Sequence, residues 1–595
     1  MFSQEYRLLK YKELFITILA ACLLCIDTEG GLSFHSLTTP LLTAFLLSWP
    51  TSFLTDRYRL RKVVQLIVGE AIIAVCTVDA YCQSIFAVPI TPQILSNIML
   101  SDHREMYEFF AVFVNIYILQ HWRIAAMLIL VIALPVSLFW IRSNFRISVP
   151  PYLRITWIVI LLLCAAYEIP TTYRYTQLFR HQNDLQSMEG LIFRHYHEEL
   201  PTPLHRFTFA YYALKQSEHV LDNIRRTSFA ATVDSCSYLS PHIVLIIGES
   251  YNKHHSTLYG YHLPTTPLQQ KRAETGELVV FNDVVTPWNI TTNAILDILS
   301  TWEYGMPQTI GEMPLVPMLF QKAGYEVTFF SNQFLLKGFR KGATNQAGHF
   351  FLANRMLSDS LFTYRNKKTD KYDMGLVHQV KEYIEGKKGR NEEGGARKEK
   401  RGDKEIQGCK GTLDIIHLVG HHFDYSMRYP SSATRFSVKD YADRKLDDDA
   451  LQTIAQYDNA TYYNDMVMDS ILSIYEHEDA IVVFVADHGE EVYDDMPIQG
   501  RLFQEPTAQQ ARQEFEVPMW IWMSQRYREN HPQTAAVVIQ AADKPLMTDG
   551  LSQLMLSLAG IGCQWYNDSH NVLSTAYKGK RRIIGGTVDY DHLMK

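Results

Sequence analysis

The long apolar runs of this 595-residue chain are confined to residues 1 to about 175; the remainder carries mixed charge. A chain of this length, divided this way, is expected to form two or three units. Five stretches, at roughly 13–28, 36–54, 64–84, 124–141 and 154–171, approach the ~20 apolar residues that a helix needs to cross a bilayer. The first has further spans behind it and no small-residue cleavage site, which excludes a removed signal peptide. Basic residues crowd alternate links: Lys10 and Lys12 before the first span, Arg57, Arg59, Arg61 and Lys62 after the second, and Arg142, Arg146 and Arg154 after the fourth. Links of this kind stay in the cytoplasm. Five spans then put the C-terminal part outside it.

Composition excludes other classes. The net charge of −7 offers no basic surface, so no nucleic-acid partner is expected. Five of the eight cysteines (Cys22, Cys25, Cys76, Cys82 and Cys164) lie in or beside apolar runs, where a thiol behaves as a small hydrophobe. Cys236, Cys409 and Cys563 show no metal-knuckle spacing, and one disulfide among them stays open. The longest outer link, about 85–123, contains Thr91-Pro92-Gln93-Ile94 and the stretch Glu105 to Phe110. It reads either as an amphipathic surface helix or as a segment that presents a lipid headgroup.

We divide the chain into a transmembrane domain at 1–172, a helical bridge at 173–238 and an α/β domain at 239–595. In the last, β-rich runs alternate with helical stretches, the pattern of a mostly parallel sheet. The expected strands are His242–Ile247, Leu278–Val285, Glu326–Phe330, Leu413–Leu418, Ile481–Ala486 and Pro518–Met523. Residues 386–410 are Lys, Arg, Glu and Gly with almost nothing apolar, and are expected to form an exposed, disordered insertion.

Ligands of such sheets gather beyond the carboxyl ends of the strands, and three of those ends carry unusual residues. One ends at Glu249-Ser250, another at Asp487-His488-Gly489-Glu490, and a third in His417, followed by His421-His422. Each has a bland reading: an Asp after a strand commonly caps a helix, and a lone His is commonly structural. Together they offer the carboxylate and imidazole donors that suit zinc. Thr291 and Thr292, before a helix-like run to Ser300, place hydroxyls where backbone N–H groups and the helix dipole favour a phosphate. Metal coordination would make such a hydroxyl a nucleophile; the alternative is a simple helix cap.

The runs Gly248-Glu249-Ser250, Leu258-Tyr259-Gly260-Tyr261, Thr265-Thr266-Pro267, Tyr457-Asp458-Asn459-Ala460 and Asp487 to Tyr493, with the five-span N-terminus, resemble the phosphoethanolamine transferases. These are membrane-anchored, sulfatase-like members of the alkaline phosphatase superfamily. The resemblance implies an α-helical transmembrane bundle followed by an α/β sandwich of the alkaline phosphatase type, in the bacterial inner membrane with the catalytic domain in the periplasm. It implies transfer of phosphoethanolamine from phosphatidylethanolamine, through a covalent threonine, to lipid A phosphate or another lipopolysaccharide group, a chemistry associated with polymyxin resistance. The implied zinc ligands are Glu249, Thr291, Asp487 and His488. Thr291 is the implied nucleophile, with Thr292 in reserve. His417, His422 and Arg501 join it in catalysis, and Thr292, Asn332 and His421 contact substrate. A monomer is expected.

The chain departs from the family pattern at three places. Pro287 and Asp297 stand where lipid A enzymes carry cysteines flanking the nucleophile. Gly500-Arg501 replaces a Gly-His pair whose histidine serves a second metal, so a second zinc stays open; an arginine there can hold a phosphate oxygen instead. Gly420-His421-His422-Phe423 replaces Gly-x-His-Gly-Pro. The acceptor (lipid A, core sugar or periplasmic glucan) stays open. Rival readings are a phosphoglycerol transferase or a sulfatase on the same scaffold, the latter needing a Cys or Ser nucleophile, and a catalytically dead sensor, expected to lose part of the ligand set.

Overall fold

The structure, a computed structural model, describes residues 58–86, 151–181, 202–333, 355–392, 411–502 and 505–595, with Leu200, Leu352 and parts of 34–43 and 89–95. The chain forms two compact units, Met1–Gln216 with Leu502–Gln504, and Ser217–Arg501 with Glu505–Lys595.

In the first unit, helix α1 (Tyr58–Phe86) runs over the third expected span, and α2 (Pro151–His181) over the fifth. Among the described residues no helix is long and apolar enough to cross a membrane. The spans expected at 13–28 and 124–141, most of 36–54 and the link beyond 95 lie outside the described residues. Two buried carboxylates organise this unit. Asp79 on α1 takes Arg206 Nη2 at 2.6 Å and the Ile90 N–H at 2.9 Å. Glu168 on α2 accepts from the hydroxyls of Thr38 and Thr39 and pairs with His35. Helix α3 (Pro203–Ala230) carries the chain from one unit into the other.

The second unit is built on a seven-stranded sheet. Its strands are β1 (His242–Gly248), β2 (Leu278–Phe281), β3 (Tyr325–Ser331), β4 (Tyr364–Arg365), β5 (Gly411–His417), β6 (Ala480–Ala486) and β7 (Met519–Met523). They lie in the order β2-β7-β6-β1-β5-β3-β4. The five strands from β6 to β4 are parallel, and β7 is antiparallel to both of its neighbours. Central parallel strands are covered on both faces and so are mostly apolar. Every residue of β3 and β6 is buried, as are Ile243 to Ile247 of β1.

Two expectations are corrected. The strand expected over 278–285 is two: after β2, the Asn282 N–H turns to Ala542 O, and Val284–Val285 pairs with Leu546–Met547 instead. The insertion expected from 386 starts as helix, because α5 (Asp373–Glu392) continues through its first residues. Lys387 there pairs with Glu326 of β3, and Lys and Glu are good helix formers. Residues 393–410 lie outside the described residues. Cys236 and Cys563 are free thiols, so they form no bridge, and Cys409 is outside the described residues.

Candidate metal centre

The parallel register brings the carboxyl ends of four adjacent strands level. Ile247 pairs with His417, Gly248 with Ala486 and Ser331 with His417. The residues that follow, Glu249, Asp487-His488 and Asn332-Gln333, therefore emerge side by side. Glu249, Asp487 and His488 each offer one ligand atom, all within 4.8 Å of one another, and all three side chains are fully buried. Among the described residues this is the one such group.

Local backbone holds them there. Ser250 takes a positive φ of 52°, uncommon for a residue with a Cβ and typical of functional turns. That turn lets the Ser250 N–H donate to Asp487 Oδ1 at 3.0 Å and its hydroxyl to Glu249 Oε1 at 2.9 Å. Gly489 must be glycine, since a Cβ there would stand 2.1 Å from Gln513 O. The His488 ring points Nδ1 at the Gly489 carbonyl, 2.8 Å away. A carbonyl only accepts, so Nδ1 carries the proton and Nε2 turns its lone pair toward the carboxylates. This is the orientation that metal-ligating histidines commonly have.

Thr291 is the first residue of helix α4 (Thr291–Leu299). Its hydroxyl lies 3.2 Å from Glu249 Oε1 and 3.1 Å from His488 Nε2. The segment before it is anchored by buried Trp288 and by Asn289, whose amide donates to Glu514 at 2.6 Å. Thr292, one residue on, lies 3.4 Å from the Asn293 side chain.

Arg501 arrives by a short hairpin in which Gln499–Gly500 pairs with Glu491–Val492. Gly500 has φ +104°, a conformation open to glycine and few others. The guanidinium lies 2.6 Å from His488 Nε2 through Nη1, 2.9 Å from Asn289 O, and 3.2 Å from Glu490 Oε2 through Nε. His417 Nε2 is 4.0 Å from Glu249 Oε2, while Nδ1 meets Ser331 Oγ at 3.1 Å. His422 is partly buried, and its charge helps to hold Glu249 down.

Two expected substrate contacts are turned to other partners. Asn332 donates to Asp373 at 2.9 Å and accepts the Asp370 N–H at 2.7 Å. His421 shares a hydrogen bond with Thr461 at 3.0 Å, its ring against Tyr251 and Tyr457, and its own N–H braces the Glu249 carbonyl. Gln333 takes the place beside the centre instead. Its amide donates to Glu249 Oε2 at 2.8 Å and to Leu418 O at 3.0 Å. Its sequence signal was position alone, the second residue past the end of a buried strand.

The electrostatics suit a cation. Burial alone would raise Glu249, yet His488, His422 and Arg501 hold its carboxyl well below the usual range. Burial, then the charge of Glu249, pushes Asp487 well above it. Burial, then Arg501, lowers His488 to about 4. Asp487 Oδ2 is buried without a hydrogen-bond partner, a costly state that a coordinated cation would relieve. The donor set of two carboxylates, a neutral imidazole nitrogen and a hydroxyl therefore fits a divalent metal.

Comparison with known proteins shows the family. Residues 241–561, more than half of the chain, match the family model described as Sulfatase. Phosphoethanolamine transferase EptC of Escherichia coli is 27% identical over 363 residues, covering 59% of this chain and 57% of that protein. Kdo(2)-lipid A phosphoethanolamine 7''-transferase of Escherichia coli is 26% identical over 301 residues, covering 49% and 45%. The match thus spans about half the length of these relatives. In fold, the chain resembles the integral membrane protein lipooligosaccharide phosphoethanolamine transferase A of Neisseria meningitidis, with a TM-score of 0.55, 17% identity, and coverage of 96% of this chain and 98% of that one. By the extent of the family match, and with its buried acids and imidazole at the ends of a central sheet, this chain belongs to the sulfatase family.

Proposed function

We propose that the protein is a zinc-dependent phosphoethanolamine transferase, held in the bacterial inner membrane with its catalytic unit in the periplasm. It would take phosphoethanolamine from phosphatidylethanolamine and pass it to a lipid A phosphate or another lipopolysaccharide group. The observation that carries this reading is the Thr291 hydroxyl, within hydrogen-bond reach of both Glu249 and His488 at the start of a helix. The relatives named as phosphoethanolamine transferases support the choice of group transferred. The five apolar runs and their basic links support the location.

Glu249, Asp487 and His488 would hold the zinc together with Thr291, and the ion would supply Lewis acidity that lowers the hydroxyl's pKa. Thr291 Oγ1, ionised by loss of its proton to water, would bond to the donor phosphorus as the phosphorus–oxygen bond to diacylglycerol breaks. His422 gives the departing alkoxide a proton and recovers one from the acceptor hydroxyl, which attacks the phosphothreonine and frees Thr291. Arg501 offers charge-assisted hydrogen bonds to the phosphoryl oxygens, and the helix N-terminus adds its dipole. His417, whose Nε2 lies 4.0 Å from Glu249 Oε2, would share the handling of charge and protons on the departing and arriving groups.

Replacing Thr291 by Ala should abolish transfer from a labelled phosphatidylethanolamine donor, at least 1,000-fold, while most zinc binding remains; mass spectrometry of the wild type should find the adduct on Thr291. Normal transfer by the variant would refute the assignment. Lipid A spectra from cells with and without the protein identify the acceptor class, an unchanged profile pointing to a core sugar or glucan.

A further inference from the structure

The guanidinium of Arg501 holds the one atom of His488 that a metal needs. Nη1 lies 2.6 Å from His488 Nε2. Because His488 Nδ1 donates to the Gly489 carbonyl, Nε2 has no proton and gives its lone pair to that N–H. An imidazole nitrogen has a single lone pair in the ring plane, so the guanidinium and a metal ion cannot share it. Arginine stays protonated in proteins, so it cannot yield by losing its charge; it has to move. Repulsion acts in the same direction, since the guanidinium and a divalent cation draw on the same Glu249 and Asp487 charges.

The side chain has somewhere else to stay. Its Nε is paired with Glu490 Oε2 at 3.2 Å, and Glu490 lies outside the triad. The Glu490 carboxylate also accepts from Tyr425 OH at 3.0 Å, which fixes it. Rotation about the end of the side chain therefore breaks the contact with His488 while the ion pair with Glu490 persists.

We infer that Arg501 is an internal competitor for the metal: loading of the site and release of Arg501 from His488 are one linked event, and Arg501 sets how tightly the metal is held. This inference rests on reading Glu249, Asp487 and His488 as metal ligands. The test is zinc affinity of the full-length, detergent-solubilised chain, measured by competition with a chromophoric chelator, for the wild type, Arg501→Ala and Arg501→Gln. The Kd for zinc should fall about tenfold or more in both variants, the scale of ordinary coupling between two sites. Equal or weaker binding in the folded variants overturns the competition. Should neither variant fold, the zinc-loaded structure of the wild type decides: Nη1 beyond hydrogen-bond reach of His488 Nε2 supports it, and a retained contact overturns it. A wild-type chain that binds no zinc at all overturns the metal site itself, and the competition with it.

Discussion

Glu249 is held through both of its carboxylate oxygens. One oxygen meets the hydroxyls of Ser250 and Thr291, and the other accepts from Gln333. Partners of this kind orient a metal ligand, and losing one commonly costs ~10–100-fold in metal affinity. Gln333→Ala should therefore weaken zinc binding by about that factor, as read by chelator competition, with the melting temperature close to wild type. A shift in melting temperature without a change in affinity would mark Gln333 as structural only. The cluster of Glu249, Asp487 and His488 was legible in the sequence, because acids and an imidazole end adjacent buried strands. Gln333 was not, since an amide two residues past a strand differs in no way from ordinary loop composition. His421 was legible as a histidine at a strand end but not in its direction: its ring turns into a pocket of tyrosines contributed by distant segments.

At the level of elements, the loop after β1 and the loop after β6 are tied together through a buried cluster. His255 sits between Asp458, at 2.5 Å, and Asp494, at 2.9 Å; Tyr261 and Tyr441 donate to the other oxygen of Asp458, and Arg444 reaches Asp494 at 3.0 Å. Tyr261 and Asp458 lie in runs that carry the family resemblance, so part of that signature braces the two loops that present the centre. Burial alone would lower His255, but Asp494 and Asp458 hold it up at about 10. Removing one partner of a buried pair typically costs ~3–5 kcal/mol, and His255→Gln should destabilise the chain on that scale by calorimetry. His255 is raised above its unfolded value, so its contribution is fully present below about pH 6.5 and is lost as the pH climbs through about 10. The gap between wild type and variant should close over that range; a gap constant to pH 11 would argue that the histidine acts by packing alone. Gly489→Ala meets the Gln513 carbonyl and should cost about 3 kcal/mol, the upper end of ordinary overpacking. Strand runs were legible because β1 and β6 are nearly continuous apolar runs and β3 and β5 are rich in aromatic and β-branched residues. The break at 282–283 was not, because the partners of Val284 and Val285 lie more than 250 residues away.

For the whole molecule, the proposed topology makes a direct prediction. A green fluorescent protein fused to the C-terminus should stay dark while an alkaline phosphatase fusion at the same place is active, and the reverse pattern would put the catalytic unit in the cytoplasm. Several properties were written in local sequence: the division into an apolar half and an α/β half, the alternation that builds a mostly parallel sheet, and the acids and histidines at its strand ends. Periodicity and residue chemistry act over a few residues, and so they can be read one segment at a time. The distances inside the centre could not be read that way. They follow from the level register of four strands, from the left-handed turn at Ser250 and from the hairpin that returns Arg501 to His488. Each of these joins segments far apart in the chain, and only long-range packing brings the Arg501 guanidinium onto His488 Nε2.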